Sequence, residues 1–521
     1  MMQLVNFVRP SDYSCPVCEE QEFKYLFEVH KSFIHVCSEC GLVCSFPHLS
    51  REETLLIYGN DKDPLNTFFA GKTQTEASER YIQMLIKRVG NTGKILLVAP
   101  LNHCFSFLAK KKGLKIVQHL TIREFEQMIT TEQTLDAIVF LYQIEKCHSL
   151  QKVLDKAYHL LKLGGTLFVI TPSLDSVSAR MFNNSWTEWR PENNYYFDKT
   201  TIQSLMWRYG FNQVEIDKDV RWYTLAHMFN RITNFPKTWI TRIITLTYHM
   251  LPASLHDLYL RLPTSGMVMS AKKMERRERP LLSIVLPVYN ESSTFPLLVE
   301  QLIAKKINGM DKELIIVESN STDNSRQIVM QYKDHPGIKI ILQDKARGKG
   351  NAVREGFNHA KGDIILIQDA DLEYDLNDYD ALLEPVAALK RPFVLGSRHG
   401  GKWKMRHFSD QTTLSAYFNF GHILFTTLLN LLYGQKMKDP FTMFKVFRRD
   451  CLHNLKLECN RFDFDFELVI KLIRKGYTPT EIPVNYSSRS FKEGKKVNMF
   501  RDPLTWVKAL FKYRFAKMTN D

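Results

Sequence analysis

Secretory and membrane-embedded chains carry long apolar runs, and this sequence has few of them. Its opening, "MMQLVNFVRPSDYS", lacks the apolar core of a signal peptide. The expectation is a cytoplasmic protein whose nine cysteines are thiols or metal ligands. Internal repetition at solenoid periods is also missing. With 44% hydrophobic and 24% charged residues, the composition excludes a disordered, collagen-like or disulfide-scaffold chain. At 521 residues the chain exceeds what one hydrophobic core usually fills, which predicts two or three domains.

One charge-free stretch tests the membrane question. "TTLSAYFNFGHILFTTLLNLLYG", Thr412 to Gly434, has no Asp, Glu, Lys or Arg over roughly the length that crosses a bilayer. Its Asn residues, His422 and hydroxyls favour a buried or interface-lying amphipathic helix instead. A second stretch, "WITRIITLTYHMLPASL", is interrupted by Arg242 and Pro252. The charge present is mostly positive: 70 Lys and Arg against 56 Asp and Glu leave +14. That favours an anionic partner, whether nucleic acid, a phosphorylated small molecule or an acidic membrane surface.

The cysteines are clustered near the start. "CPVC" at Cys15 and Cys18 and "CSEC" at Cys37 and Cys40 give two C-x2-C pairs eighteen residues apart, the zinc-ribbon spacing. Four thiolates close a tetrahedral shell around Zn2+ and leave no position for a substrate, so the expected site is structural. Cys44, His30 and His35 are nearby bystanders to a complete set.

The clearest seam is "SAKKMERRERP", Ser270 to Pro280, a charged run ended by a proline. The expected division is a zinc ribbon at 1–50, an α/β domain at 51–269, a linker at 270–280, a second α/β domain at 281–500 and a basic, aromatic tail at 501–521.

In the middle region, "LDAIVFLYQIEKCHSLQKVLDKAYHLLKLGGTLFVITPS" and "DSVSARMFNNSWTEWRPENNYYFDKTTIQSLMWRYGF" resemble class I S-adenosylmethionine-dependent methyltransferases. The resemblance implies a Rossmann-like sheet and that cofactor. It also puts Asp136, Glu145 and His148 near the ligand. The local chemistry argues otherwise, because the loop after the first strand, "VAPLNHCFSF", has no glycine to let a ligand approach the backbone. An acid to hold the ribose hydroxyls is also missing from "LKIVQHLTIREF", where Gln118 and His119 stand. An inactive scaffold, an altered cofactor site and an unrelated Rossmann-type binder all remain open.

Beyond Pro280 the strands "LSIVLPV", "ELIIVES", "IKIILQD" and "DIILIQD" alternate with helical stretches, the pattern of a mostly parallel sheet. The last runs into "ILIQDADLEYD", where Asp369, Asp371, Glu373 and Asp375 recur at every second position. Like charges so spaced repel in an extended chain and call for a cation. Six other motifs accompany it in order: "PVYNES", "VESNSTDNS", "ARGKGNAVREG", "GSRH", "KDPFTMFKVFRRD" and "RSFKEGKK". The series resembles family 2 glycosyltransferases of the GT-A fold, in the dolichyl-phosphate mannose synthase-like branch. The expected fold class is thus α/β multidomain: zinc ribbon, Rossmann-like methyltransferase-type domain and GT-A domain with a mostly parallel sheet.

The resemblance implies a nucleotide-sugar donor and Mg2+ or Mn2+ on Asp369 and Asp371, with Glu373 as a further ligand. Pro287, Tyr289, Glu291, Glu318 and Asp323 would line the nucleoside, with Lys349 and Asp369 on the donor side. The usual pair of aspartates after the second strand is Glu318 and Ser319 here, which leaves the nucleobase open. Arg398, Arg406, Arg489 and Lys495 are candidates for phosphate contacts, since guanidinium pairs bidentately with phosphate oxygens. A hydroxyl acceptor would need a base, for which Asp465 and Asp439 are the candidates, while a phosphate acceptor needs none. Asp465 could equally cap a helix beginning near Glu467.

The resulting reading is a cytoplasmic, metal-dependent glycosyltransferase acting on a lipid-linked or glycan acceptor, with a methyltransferase-like half whose activity stays open, as does peripheral association with an anionic membrane. Two competing readings are a sugar methyltransferase with an accessory nucleotide-sugar domain and a zinc-ribbon nucleic-acid-binding protein. No interleaved basic and aromatic recognition motif supports the latter, so nucleic acid is not an expected partner.

Overall fold

In the computed structural model the described residues are 13–29, 32–48, 72–101, 103–129, 134–226, 229, 245–248, 250–252, 255–256, 258–398, 412–487 and 501–518. His30, Arg406, Arg489, Lys495 and most of the Arg242-containing stretch lie outside them. The chain divides into two units, Met1–Arg276 and Arg277–Asp521.

The first unit starts with short strands in which large apolar residues alternate with polar ones. β1 (Phe23–Val29), β2 (Ser32–Cys37) and β3 (Val43–Phe46) pair antiparallel in that order. A fourth strand comes from far along the chain: β8 (Tyr195–Tyr196) pairs with β3, Val43 opposite Tyr196. Ile34, Val43, Trp186, Trp189 and Tyr196 share one core beneath this sheet. Through β8 and this core, the cysteine-bearing segment is joined to residues 186–196 of the same unit.

The same unit holds a six-stranded sheet in the order β5–β4–β6–β7–β10–β9. β4 (Lys94–Val98), β5 (Lys115–Leu120), β6 (Leu135–Leu141) and β7 (Leu161–Pro172) are parallel. β10 (Tyr259–Lys273) runs antiparallel between β7 and β9 (Phe211–Thr224). Helix α1 (Lys72–Val89) covers one face with Ala77, Tyr81 and Leu85, spaced four apart so that they share a side.

The expected linker starts too early. Ser270 to Lys273 are the last residues of β10, paired with both neighbours. Lys273 is buried, donating to the Leu161 carbonyl at 2.8 Å with its ammonium 4.3 Å from the Tyr158 ring, so its charge is satisfied inside the protein. A basic run reads as a linker in sequence because long stems that carry their charge to backbone carbonyls cannot be told from solvated ones.

The second unit is a seven-stranded sheet, β13–β12–β11–β14–β16–β15–β17. β11 (Leu281–Val288), β12 (Asp311–Glu318), β13 (Ile338–Leu342) and β14 (Ile364–Ile367) are parallel. β16 (Lys445–Arg448) is antiparallel to β14 and to β15 (Phe393–Ser397), while β17 (Thr480–Pro483) runs parallel to β15. Central strands such as "IILI" of β14 are buried throughout, as both-face coverage requires.

Helix α2 (Lys349–His359) lies over β11 and β12. Gly348 takes φ +99°, and a Cβ on Gly350 would fall 2.8 Å from the Cys459 carbonyl. These two glycines let the turn before α2 press against the segment leading into α4 (Phe464–Lys475). Helix α3 (Thr412–Tyr433) contains the charge-free stretch, and α5 (Arg501–Phe515) packs beside both α3 and α4. Among the described residues no helix is long and apolar enough to cross a membrane.

Candidate active site

In the second unit, loops meet beyond the carboxyl ends of β11, β12 and β14, where open parallel sheets hold their ligands. After β11 the chain turns at Asn290, φ +51°, and locks to the loop after β12. The Asn290 amide donates to Ser321 Oγ at 3.0 Å, Glu291 N to Ser325 Oγ at 2.8 Å and Ser292 N to Asp323 Oδ2 at 3.1 Å. Slight burial pushes the Asp323 carboxyl up, but hydrogen bonds from Ser325 and Ser292 hold it below its ordinary value. Tyr289 is exposed beside this lock, Pro287 is half-buried, and the Glu291 carboxylate accepts from Thr294 Oγ1 at 3.0 Å. Glu318 is fully buried, taking the amides of Asn320 and Ser321 and an ion pair with Arg326 at 2.7 Å. Its carboxylate shapes the loop and is turned away from solvent.

The acidic stretch follows directly. β14 stops at Ile367, so the four acids are in a loop and do not stack on one strand face. A lysine stands among these acids: Lys349 Nζ lies 2.5 Å from Asp369 Oδ1. Burial pushes this lysine's pKa down, yet Asp369, Asp465 and Asp371 together hold it above the ordinary lysine value. Asp371 Oδ1 accepts the amide of Glu373 at 3.1 Å, and Thr294 Oγ1 ties the loop after β11 to the Ala370 carbonyl at 3.1 Å. Glu373 Oε2 accepts from Tyr486 OH at 2.7 Å, and Asp375 accepts from Asn377 N at 2.9 Å as the cap of a short helical turn.

Behind the acids lie two buried ion pairs. Asp439 accepts from Arg398 N, Nε and Nη2 at 3.0, 2.7 and 2.8 Å. Burial pushes its carboxyl up, but the Arg398 guanidinium holds it well below the carboxylate range. Arg398 also lies 5.1 Å from the Tyr486 ring. Lys445, with its side chain 0% exposed, donates to Asp465 Oδ1 at 2.8 Å.

These contacts correct several expectations. Asp439 is enclosed and accepts three hydrogen bonds from Arg398, so the base candidate and the phosphate candidate are paired with each other. Asp465 sits within the first turn of α4, whose cap position is Asp463, so it does not cap the helix. Glu373 is held by Tyr486 and does not close with the two aspartates into a three-carboxylate set: among the described residues, the one group of three or more such ligands that converges is the cysteines. Asp369 and Asp371 still fit a hard cation, because Mg2+ takes one or two carboxylates and completes its shell with substrate phosphates and water. Sequence reading missed Lys445 and Tyr486. Lys445 opens the short strand Lys445–Arg448, where its charge reads as solvated, and Tyr486 is brought to Glu373 by contacts across more than a hundred residues.

At the cysteines, Cys15 and Cys40 Sγ are 3.5 Å apart, as are Cys18 and Cys37, and all four sulfurs lie within 4.8 Å of one another. A tetrahedral zinc with Zn–S near 2.3 Å spaces its sulfurs by about 3.8 Å, so the set fits Zn2+. Cys44 is turned to Tyr13 and His35 to the Phe33 carbonyl.

In the methyltransferase-like unit, side chains of its own gather near the crevice of the parallel strands. Strand order reverses between β4 and β6, which puts the crevice at Val98 and Leu141. Tyr142, just past β6, donates to Asp219 Oδ2 at 2.9 Å, Tyr81 donates to Asp219 Oδ1 at 2.7 Å, and Thr264 donates to Asp219 Oδ2 at 2.9 Å. Buried Arg221 completes the network. His103 of the glycine-free loop is pushed down to about 4 by burial and by Arg221 and His119. Asp136 stands at the amino end of β6, away from the crevice, bonded to Lys94 N and Lys162. Glu145 is buried against Thr171, burial pushing it up to about 7, and His148 is exposed.

Two family models match this chain, one in each unit. Residues 283–456 match the family described as Glycosyl transferase family 2, and residues 103–216 match one described as Methyltransferase domain. The dolichyl-phosphate beta-glucosyltransferase of Saccharomyces cerevisiae is 28% identical over 258 residues, 46% of this chain and 75% of the relative. An undecaprenyl-phosphate 4-deoxy-4-formamido-L-arabinose transferase of Shewanella sediminis is 30% identical over 235 residues, 43% of this chain and 66% of the relative. Among solved structures, glucosyl-3-phosphoglycerate synthase from Mycobacterium tuberculosis, with Mn2+, UDP-glucose and phosphoglyceric acid, matches at 18% identity and TM-score 0.35, covering 46% of this chain and 81% of that one. The second unit carries a family 2 glycosyl transferase domain, and the first a methyltransferase domain.

Proposed function

We propose that the second unit moves a sugar from a nucleoside diphosphate donor to a lipid-linked phosphate, with a divalent cation held by Asp369 and Asp371. The observation that carries this reading is the meeting of the loops after β11 and β12, the Gly348–Gly350 turn and the acidic stretch at one end of a parallel sheet. Mg2+ or Mn2+ bound there would offset the charge that builds on a departing diphosphate. The chain's own groups orient the donor. Tyr289, Glu291 and Asp323 line the nucleoside side, and Lys349 offers a second positive charge to the phosphates. Asp439 is closed off by Arg398, and Asp465 is engaged by Lys445, which favours an acceptor that is already anionic and needs no base. The names of the yeast and Shewanella relatives carry such phosphates. The first unit is read as a zinc-stabilised scaffold that positions or recognises the glycan, because its crevice is filled by its own Tyr142, Asp219 and Arg221.

Attachment to the cytoplasmic face of an anionic membrane rests on α3 and α5. Val507, Phe511 and Phe515 lie at i, i+4 and i+8, exposed opposite the buried Ala509, Leu510 and Tyr513. Phe420, Leu424 and Leu431 form a similar exposed stripe opposite Phe425, Leu429 and Tyr433. The two helices are joined by Tyr433 OH donating to the Leu510 carbonyl at 2.6 Å. Exposed Lys508, Lys512 and Lys517 flank the apolar side chains, the composition of an interface-lying helix.

Thermal unfolding of the full chain tests both units, with nucleotide sugars and S-adenosylmethionine screened with and without Mn2+. A nucleotide sugar is expected to raise the midpoint only with metal, and not in Asp371→Ala. A rise with S-adenosylmethionine alone would instead make methyl transfer the main activity, and a rise with nucleic acid alone would favour a binding module.

A further inference from the structure

We propose that Lys349 is a resident counter-cation of the acid site: without nucleotide its ammonium holds the place beside Asp369 that a divalent ion takes, so that ion and nucleoside diphosphate bind together. The inference rests on the nucleotide-sugar reading above and adds an order of events to it.

The ion pair is short, 2.5 Å, and its partners are largely withdrawn from water, with side chains 21% and 17% exposed for Lys349 and Asp369. At that separation and burial a divalent cation arriving at Asp369 meets a nearby positive charge that bulk water screens poorly. The turn that carries Lys349 is packed closely. Gly348 takes φ +99° and Gly350 lies against the Cys459 carbonyl, so a swing of the long side chain is the simplest way for the ammonium to leave Asp369.

Two destinations are available for the displaced ammonium. One is the donor's diphosphate, arriving at the amino end of α2, where backbone amides already favour an anion. The other is Asp465, which acts on Lys349 electrostatically and is held in place by buried Lys445. Asp465 and Lys445 are positioning residues in this account: Lys445 holds the Asp465 carboxylate where its charge acts on Lys349. When diphosphate supplies a better partner for Lys349, Asp369 is released to the metal. By linkage, metal must tighten diphosphate binding by the same factor.

The test is Mn2+ binding to the zinc-loaded full chain, followed by loss of the free-ion electron paramagnetic resonance signal, with and without UDP or GDP. For the unaltered chain, nucleoside diphosphate is expected to tighten Mn2+ binding by at least about 10-fold. Lys349→Met should bind Mn2+ alone about 10-fold more tightly than the unaltered chain does, with a smaller further gain from diphosphate. Lys349→Arg, which keeps the charge, should retain weak binding. Mn2+ affinity without nucleotide that is no higher in Lys349→Met, or raised equally in Lys349→Arg, would overturn the proposal while leaving sugar transfer standing. Failure of every variant to hold Mn2+ with either diphosphate would overturn both.

Discussion

Asp439 illustrates how far a side chain's chemistry depends on what folding sets beside it. In sequence it stands in a loop-like "KDPF" as a plausible base, but in the fold three donors from Arg398 surround it. Removing one partner of such a buried pair strands the other charge. Asp439→Asn should cost about 3–5 kcal/mol in urea unfolding at neutral pH. The sign with pH follows from a folded-state pKa held below the ordinary 3.8: the carboxylate's contribution is fully present above that value and is lost as pH falls through the folded pKa. The gap between Asp439→Asn and the unaltered protein should therefore narrow once pH drops below 3.8. A gap that stays constant, or widens on acidification, would argue against the ion pair. Lys445, Asp465, Lys349 and Asp369 extend the same alternation of charge towards the site. None of these pairings is legible in the linear chain, where up to 41 residues separate the partners that contact directly.

Elements were easier to read than contacts. The apolar runs of β11, β12 and β14 and the turn glycines around Lys349 state a parallel sheet in the sequence itself, because buried strands and tight turns tolerate few residue types. The C-x2-C pairs likewise state a metal site, since spacing alone can bring four sulfurs together. Two things stayed hidden. Ser270–Lys273 extends β10 despite its charge, and Tyr195–Tyr196, too short to show a period, completes the cysteine-bearing sheet. The second fact has a consequence for stability: stripping zinc should loosen β8 and the Trp186–Trp189 core along with the ribbon. Chelation is expected to raise amide exchange at residues 186–196 as well as 15–46, and exchange confined to 15–46 would contradict the shared core. Helices α3 and α5 carry their own test. Leu431→Ser with Phe511→Ser should reduce co-sedimentation with phosphatidylserine vesicles by about 10-fold or more without changing the thermal midpoint, given the apolar area removed. Unchanged co-sedimentation would remove these stripes from the membrane account.

At the scale of the whole molecule, the proposed function assigns sugar transfer to the second unit and a supporting role to the first. The first keeps a methyltransferase-type sheet while its crevice holds a closed network of Tyr81, Tyr142, Asp219, Arg221 and Thr264. The second gathers its acids, its lysine and its nucleoside-side loops at one end of the sheet, and has the outward apolar stripes suited to a lipid-borne acceptor. Its sequence motifs could be read because each loop carries its own short signature. The Tyr142–Asp219–Arg221 network could not be read from the sequence, since Asp219 and Arg221 arrive from a strand more than a hundred residues downstream of the glycine-free loop. The measurement that tests this division most directly is transfer of labelled sugar from nucleotide sugars to polyprenyl phosphate in vesicles, catalysed by the full chain with Mn2+. The account predicts product that disappears on chelation by EDTA and falls by at least about 100-fold in Asp371→Ala. Transfer that persists undiminished in Asp371→Ala would contradict it.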